Sequence, residues 1–74
     1  MGQAKGGIMS NYILTRVNTI FHNARCFVRS GNFEAMNNER KKLKEMFRDH
    51  CIPKEVLRDF DGEMNYLYNS LHYL

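Results

Sequence analysis

Apolar residues recur along most of this chain at intervals of three and four positions, which is the period of an amphipathic α-helix. The pattern predicts three helices, at about residues 10–29, 33–50 and 53–73, each with one apolar face. Because the breaks between them are short, the sequence predicts an all-α fold, a small antiparallel three-helix bundle. The predicted core positions are Ile13, Val17, Ile20, Phe21, Ala24, Phe27, Val28, Phe33, Met36, Leu43, Met46, Phe47, Cys51, Leu57, Phe60, Met64, Leu67, Leu71 and Leu74.

The residues at the helix ends support these boundaries. Ser10 or Asn11 can cap the first helix by accepting a hydrogen bond from a backbone N–H that has no partner within the helix. Gly31 suits the left-handed conformation that commonly ends a helix. Asn32 follows it and is a suitable N-cap for the second helix. The turn between the first two helices is therefore predicted to lie at residues 30–32.

The third segment has the most regular pattern in the chain. Its apolar residues from Leu57 to Leu74 are spaced 3-4-3-4-3, which matches a heptad seam. Pro53 suits the first turn of a helix, where its missing N–H would have no partner. Gly62 interrupts the segment, but the seam keeps its phase across it. We therefore predict one helix, with or without a kink at Gly62.

The length and composition indicate a single small domain. The 74 residues carry 11 basic and 8 acidic side chains, for a net charge of +3. Residues 1–8 are rich in glycine and predict a flexible tail, which leaves 9–74 as the helical domain. The sequence predicts neither a transmembrane segment nor a secretory signal. Its two cysteines predict free thiols in a cytoplasmic protein, with a Cys26–Cys51 bridge as the alternative.

No pattern of residues indicates catalysis, a cofactor or a metal. His22 and Cys26 are spaced four residues apart on one helix, and His50 precedes Cys51 at a turn. Zinc accepts such ligands, but the paired Cys-x-x-Cys spacing of structural zinc sites is absent. No third group stands out that would orient a nucleophilic Cys–His pair. We therefore predict no catalytic residues, no metal site and no cofactor.

Two polar features of the predicted surface are candidates for binding. Opposite the apolar seam of the third helix lies a tyrosine stripe, and tyrosine is common at protein interfaces. The second helix carries a basic ridge that is suited to an acidic partner or to phosphates. We expect Asp61 and Glu63 to pass near Lys41 and Lys44 and to neutralise part of the ridge. The tyrosine stripe consists of Gly62, Tyr66, Asn69 and Tyr73, and the basic ridge of Arg40, Lys41, Lys44 and Arg48.

Residues 36–71 resemble the helical-hairpin aspartyl-phosphate phosphatases of sporulating bacteria. Met36, Arg40 and Leu43 match the spacing of that family's first helix, and 55–57, 63–64 and 67 follow its second. The family signature is Ser-Gln-Glu-Leu-Asp, where this chain reads Asp61-Gly62-Glu63-Met64-Asn65. The characteristic Ser and Asp are both replaced. The resemblance implies a helical hairpin that regulates the phosphorylation of response regulators.

The leading hypothesis is a non-enzymatic protein–protein interaction module that binds and regulates or inhibits a larger partner, as small viral or bacterial regulators do. In this hypothesis Tyr66 and Tyr73 dock into the partner, while Lys41, Lys44 and Arg48 steer its approach. The first alternative is a nucleic-acid-binding protein that uses the basic ridge. The second is the hairpin regulator implied by the resemblance. A homodimer through the third helix is a further possibility, since it would add stability at this size.

Overall fold

The computed structural model describes residues 10–50 and 52–72, and these residues form three helices and no strand. Helix α1 spans Asn11–Arg29, α2 spans Phe33–His50 and α3 spans Lys54–His72. The predicted all-α three-helix bundle is confirmed, with boundaries that differ from the prediction by one residue. The predicted tail at 1–8, Cys51, Tyr73 and Leu74 lie outside the described residues.

The turn between α1 and α2 forms as its sequence predicts. Gly31 has a φ of 79°, in the left-handed region where a side chain is strained. The N–H of Asn32 donates to the carbonyl of Phe27 at 2.8 Å, and the N–H of Gly31 to that of Val28 at 3.0 Å. These two bonds make a Schellman motif, which satisfies carbonyls at the end of α1. The Asn32 Oδ1 then accepts from the N–H of Ala35 and caps α2.

The other helix starts also follow local chemistry. Of the two candidate caps for α1, Ser10 takes the role, since its Oγ accepts from the N–H of Ile13 at 3.2 Å. Pro53 directly precedes α3, and its carbonyl accepts from the N–H of Val56 at 3.0 Å. Helix α3 continues through Gly62 without a break, as the phase of its apolar seam predicts.

Contacts between side chains give the directions of the helices. Arg40 pairs with Asp61 and Phe33 packs against Tyr68, so position numbers rise along α2 as they fall along α3. These two helices are antiparallel. Arg25 pairs with Glu63, and the ring of Phe21 lies edge-on to the ring of Phe60 with 5.3 Å between their centroids. Position numbers rise together in these two pairs, so α1 and α3 are parallel. The bundle therefore runs up, down and up, and α1 contacts both other helices more extensively than α2 and α3 contact each other.

The core holds most of the predicted apolar positions. Five of its buried residues come from α1, two from α2, one from the α2–α3 junction and two from α3. Phe60, Leu43 and Val28 are the largest side chains with no exposure. The buried apolar residues are Ile13, Val17, Ile20, Ala24, Val28, Leu43, Met46, Ile52, Phe60 and Met64, and packed against them are Phe21, Met36, Val56, Leu57 and Leu67.

Three predicted core residues are instead exposed, and all lie near helix ends. Phe33 and Phe47 occupy the end turns of α2, where they are 37% and 38% exposed. Leu71 is 39% exposed. In the register set by the Arg25–Glu63 pair, Arg29, the last residue of α1, lies beside position 67 of α3. Phe33, the first residue of α2, contacts Tyr68 of α3. Leu71 therefore lies beyond the residues of α1 and α2 that could cover it.

Candidate interaction surface

Arg40, the first residue of the basic ridge, is engaged within the fold. Its Nε donates to Asp61 Oδ1 at 2.7 Å and its Nη2 to Oδ2 at 2.8 Å, which is the two-pronged geometry of a strong arginine–carboxylate pair. Hydrogen bonding to Asp61 raises the pKa of the Arg40 guanidinium; the charge of Asp61 adds to this effect, and partial burial opposes it. Arg40 is therefore a cation that joins α2 to α3.

The basic ridge is partly neutralised within the fold, as expected, but through Arg40 rather than Lys41 or Lys44. Asp61 pairs with Arg40, and Glu63 pairs with Arg25 of α1 through both guanidinium prongs. Hydrogen bonding to Glu63, helped by its charge and opposed by burial, raises the pKa of Arg25 as well. Among the described residues, Lys41 and Lys44 have no ion-pair partner and are exposed.

Four further cations lie on α2 and α3, on the same face of the bundle as the Arg40–Asp61 pair. Lys44 and Arg48 follow Arg40 at intervals of four, and residues at this spacing share one side of a helix. On α3, Arg58 lies three residues before Asp61, and Lys54 lies four residues before Arg58. These four exposed residues are the basic rows, which flank the α2–α3 junction. Among described residues their one ion pair is between Arg48 Nε and Asp49 Oδ1 at 3.5 Å, a contact that is largely exposed.

At the opposite end of the same face lies an apolar groove. The rings of Phe33 and Tyr68 meet edge to face with their centroids 5.3 Å apart. The groove has a volume of about 350 Å³, and its polar edge is the Arg40–Asp61 pair. Its apolar lining consists of Val28, Phe33, Met36, Met64 and Tyr68. Sequence reasoning missed this groove, because it assigned Phe33 to the core and gave Tyr68 no role.

The tyrosine stripe lies on a different side of α3. Tyr66 is 70% exposed, and Gly62 and Asn69 are exposed beside it. Tyr68 follows Tyr66 by two positions, which on a helix is a rotation of about 200°. Because Tyr68 faces α2, Tyr66 faces away from the groove. The structure thus separates the tyrosine stripe from the basic rows; its fourth member, Tyr73, lies outside the described residues.

Glu39 is a buried charge that the pattern concealed. It is 5% exposed, and its Oε2 accepts from Lys42 Nζ at 2.8 Å. The signal for its burial is the spacing 3-4-3 through Met36, Glu39, Leu43 and Met46, in which a carboxylate fills one position of the apolar face.

The described histidine and cysteine side chains include one close pair, on α1. His22 Nε2 lies 3.9 Å from Cys26 Sγ on the exposed face of α1, and the Cys26 thiol is free. Within residues 10–50 and 52–72, no group of three His, Cys, Asp or Glu side chains is arranged to hold a metal ion. None of the helices in this part of the chain is long and apolar enough to cross a membrane. The predicted Cys26–Cys51 alternative involves Cys51, outside the described residues.

Comparison with protein-family models, curated proteins and solved structures finds no match for this chain. Helices α2 and α3 form an antiparallel hairpin, as the resemblance to aspartyl-phosphate phosphatases implies. Of the residues at the signature positions, however, Asp61 and Glu63 are in ion pairs, Met64 is buried and Asn65 is an amide. The described hairpin thus has no unpaired carboxylate at these positions.

Proposed function

We propose that this chain is a non-enzymatic interaction module that binds a larger partner protein and regulates or inhibits it. One observation carries the proposal: four large apolar side chains are exposed at the end of the bundle where α2 begins and α3 ends. Of the seven large apolar residues that are exposed in the described part of the chain, three lie at the opposite end of the bundle and four where α2 begins and α3 ends. We call this group the aromatic end; its members are Phe33, Tyr66, Tyr68 and Leu71.

The composition of the aromatic end suits protein recognition. Phe33 and Tyr68 contact each other in one exposed apolar patch, and Tyr66 is a second exposed site on the other side of α3. Exposed apolar surface of this kind is typical of interaction sites. A tyrosine offers a large apolar area with a polar tip and few rotatable bonds, so it loses little entropy on binding. Tyr66, as the most exposed large apolar side chain of the described residues, is the strongest candidate for a residue that dominates binding. Gly62, which has no side chain, and Asn69 are exposed on the same side of α3.

The exposed cations of α2 indicate that the partner's surface is acidic. Lys41 and Lys44 are exposed on α2 without an ion-pair partner among the described residues, and Arg48 is exposed with only its 3.5 Å contact to Asp49. Exposed surface cations increase the association rate with an acidic surface. In this proposal the cations steer the approach and the aromatic end provides the stable contact. The free thiol of Cys26 accords with action in the cytoplasm, which we include in the proposal.

Two tyrosines of similar exposure allow a matched test. Tyr66 is 70% exposed at the aromatic end, and Tyr12 is 65% exposed at the start of α1, the opposite end of the bundle. The wild type, Tyr66→Ala and Tyr12→Ala are each used to capture proteins from cells of the source organism. We expect Tyr12→Ala to retain the captured partner and Tyr66→Ala to reduce it by about tenfold or more. Tyr73→Ala should strengthen the effect of Tyr66→Ala, and undiminished capture by this double variant would rule out the proposal.

The basic rows favour nucleic-acid binding as the second candidate function. Lys44, Arg48, Lys54 and Arg58 contribute four exposed cations to one face, and each phosphate contact makes binding more sensitive to salt. A titration against duplex and single-stranded oligonucleotides at low and moderate salt tests this candidate. The absence of binding at low salt would remove it. Sedimentation at increasing concentration tests the homodimer through α3, and a strict monomer would exclude that state.

A further inference from the structure

We infer that the face formed by α2 and α3 binds an acidic segment of a partner protein that carries a large apolar side chain. The apolar groove receives that side chain, and the basic rows receive the carboxylates. This inference rests on the proposed function and gives the partner's contact segment a chemical character. It is carried by the continuity of two features on one face, with the Arg40–Asp61 pair between them.

The groove accepts one apolar group but is poorly suited to a free small molecule. Its volume of about 350 Å³ is at the lower end of the range for ligand pockets, about 300–1,000 Å³. Phe33 and Tyr68 remain 37% and 41% exposed while contacting each other, so a bound apolar group would bury surface of both rings. The amides of Asn37 and Asn65 also line the groove and can bond to a passing backbone.

The distance from the groove to the cations requires an elongated ligand. Lys44 follows Phe33 by eleven residues, and Arg58 precedes Tyr68 by ten. At about 1.5 Å per residue along a helix, each interval spans about 15–17 Å. A helical segment of about 11 residues, or an extended one of about five, covers this distance. A peptide segment can therefore contact the groove and the cations simultaneously.

The distribution of charge favours a peptide over a nucleic acid. The basic rows occupy only the part of the face beyond the Arg40–Asp61 pair, and the groove supplies apolar surface. A duplex carries a negative charge for about every 1.7 Å of its axis, so it would place phosphates over the apolar groove and beside the Asp61 carboxylate. A peptide can place its carboxylates over the cations alone and an apolar side chain in the groove.

Selection from a random peptide library on the immobilised full chain tests the inference. Peptides of about 12 residues are long enough to span the face as a helix. We expect the selected peptides to combine a large aliphatic or aromatic residue with an excess of Asp and Glu towards one end. Synthetic copies should bind with an affinity that falls as salt rises.

Two matched double variants locate the binding surface. Lys44→Gln with Arg58→Gln removes two cations from the basic rows, and Arg16→Gln with Arg29→Gln removes two exposed cations from α1. Both variants lower the net charge equally. We expect the first to weaken a selected peptide by about tenfold and the second to change its affinity little. Phe33→Ser should also weaken binding, and thermal unfolding verifies that each variant is folded.

The outcomes separate this inference from the proposed function. Selected peptides that lack an acidic excess, or no selection at all, would overturn the inference. So would peptides that are sensitive to Tyr66→Ala but not to Phe33→Ser, although the proposed function would then stand. Binding of a duplex oligonucleotide with no selected peptide would assign the face to nucleic acid. If peptides bind as expected while Tyr66→Ala retains the cellular partner, the inference stands and the assigned role of Tyr66 fails.

Discussion

Arg40 of α2 and Asp61 of α3 form a two-pronged ion pair across the α2–α3 interface. Its position decides how the basic surface is divided. It removes Arg40 from the exposed cations and separates the apolar groove from the basic rows. The pair is partly exposed, with side-chain exposures of 35% and 45%, so solvent weakens the attraction between the two charges.

We expect the Arg40–Asp61 pair to contribute a small, salt-sensitive coupling energy. A double-mutant cycle with Arg40→Met and Asp61→Asn should give about 0.5–1 kcal/mol at low salt and less in high salt. Denaturant unfolding followed by helical circular dichroism measures each free energy of unfolding. A coupling energy of zero at low salt would contradict the geometry.

The same pair gives an expectation for alkaline pH. Folding raises the pKa of Arg40, through hydrogen bonding to Asp61, and that of Arg25, through Glu63. A group whose pKa is raised on folding contributes stability below its unfolded pKa and loses it as the pH rises through the folded pKa. Because even an unperturbed arginine stays protonated well into the alkaline range, neither pair should lose its contribution through arginine deprotonation at moderately alkaline pH. The salt dependence of the Arg40–Asp61 coupling should therefore be equal at pH 7 and pH 10.

The parts of the structure that depend on local sequence could be predicted. The Ser10 and Asn32 caps, the left-handed Gly31 and the three amphipathic helices each depend on residues within a turn or two of one another. The ion-pair partners could not be predicted in this way. A shift of one residue rotates a helix position by about 100°, so the sequence could not decide whether Arg40 or Lys41 meets Asp61. That choice depends on how each helix rotates and slides against its neighbours.

The ends of the bundle show the same limit for apolar residues. Phe33, Phe47 and Leu71 fit the helical period as well as Phe60 does, yet periodicity gives only the face on which a residue lies. Whether a neighbouring helix extends far enough to cover that face depends on the stagger of the helices. The apolar groove forms where this stagger leaves Phe33 partly uncovered, so the apolar pattern of the sequence could not predict it.

Phe60 and Phe47 are both predicted core residues, but replacing them with alanine should lower the free energy of unfolding by very different amounts. Phe60 has no exposure and contacts Phe21 edge to face, whereas Phe47 is 38% exposed. Phe60→Ala should cost about 3–5 kcal/mol, which in a domain this small leaves much of the chain unfolded. Phe47→Ala should cost about 1 kcal/mol or less, because it removes less buried area. Urea unfolding compares them, and equal losses would contradict the observed burial.

The Glu39–Lys42 pair should respond differently to removal of each partner. Glu39 is buried and Lys42 is largely exposed, with a side-chain exposure of 57%. Lys42→Met leaves a buried carboxylate without its ammonium and should cost about 1–2 kcal/mol. Glu39→Met replaces the carboxylate with an apolar side chain and should be neutral or stabilising. Thermal unfolding of the two variants and their combination checks this order, with the double variant expected to resemble Glu39→Met.

The two described glycines in and between the helices should respond oppositely to alanine. Gly31 has positive φ, and a left-handed alanine costs about 1–2 kcal/mol, so Gly31→Ala should destabilise the fold. Gly62 is exposed within α3, and a Cβ there meets nothing within 4 Å. Gly62→Ala should therefore stabilise the chain by about 0.5–1 kcal/mol. If Gly62 also admits a partner beside Tyr66, the same substitution should weaken capture of that partner while raising the midpoint of thermal unfolding. A more stable variant with full capture would show that Gly62 is not part of the interface. Its only effect would then be to lower the stability of α3.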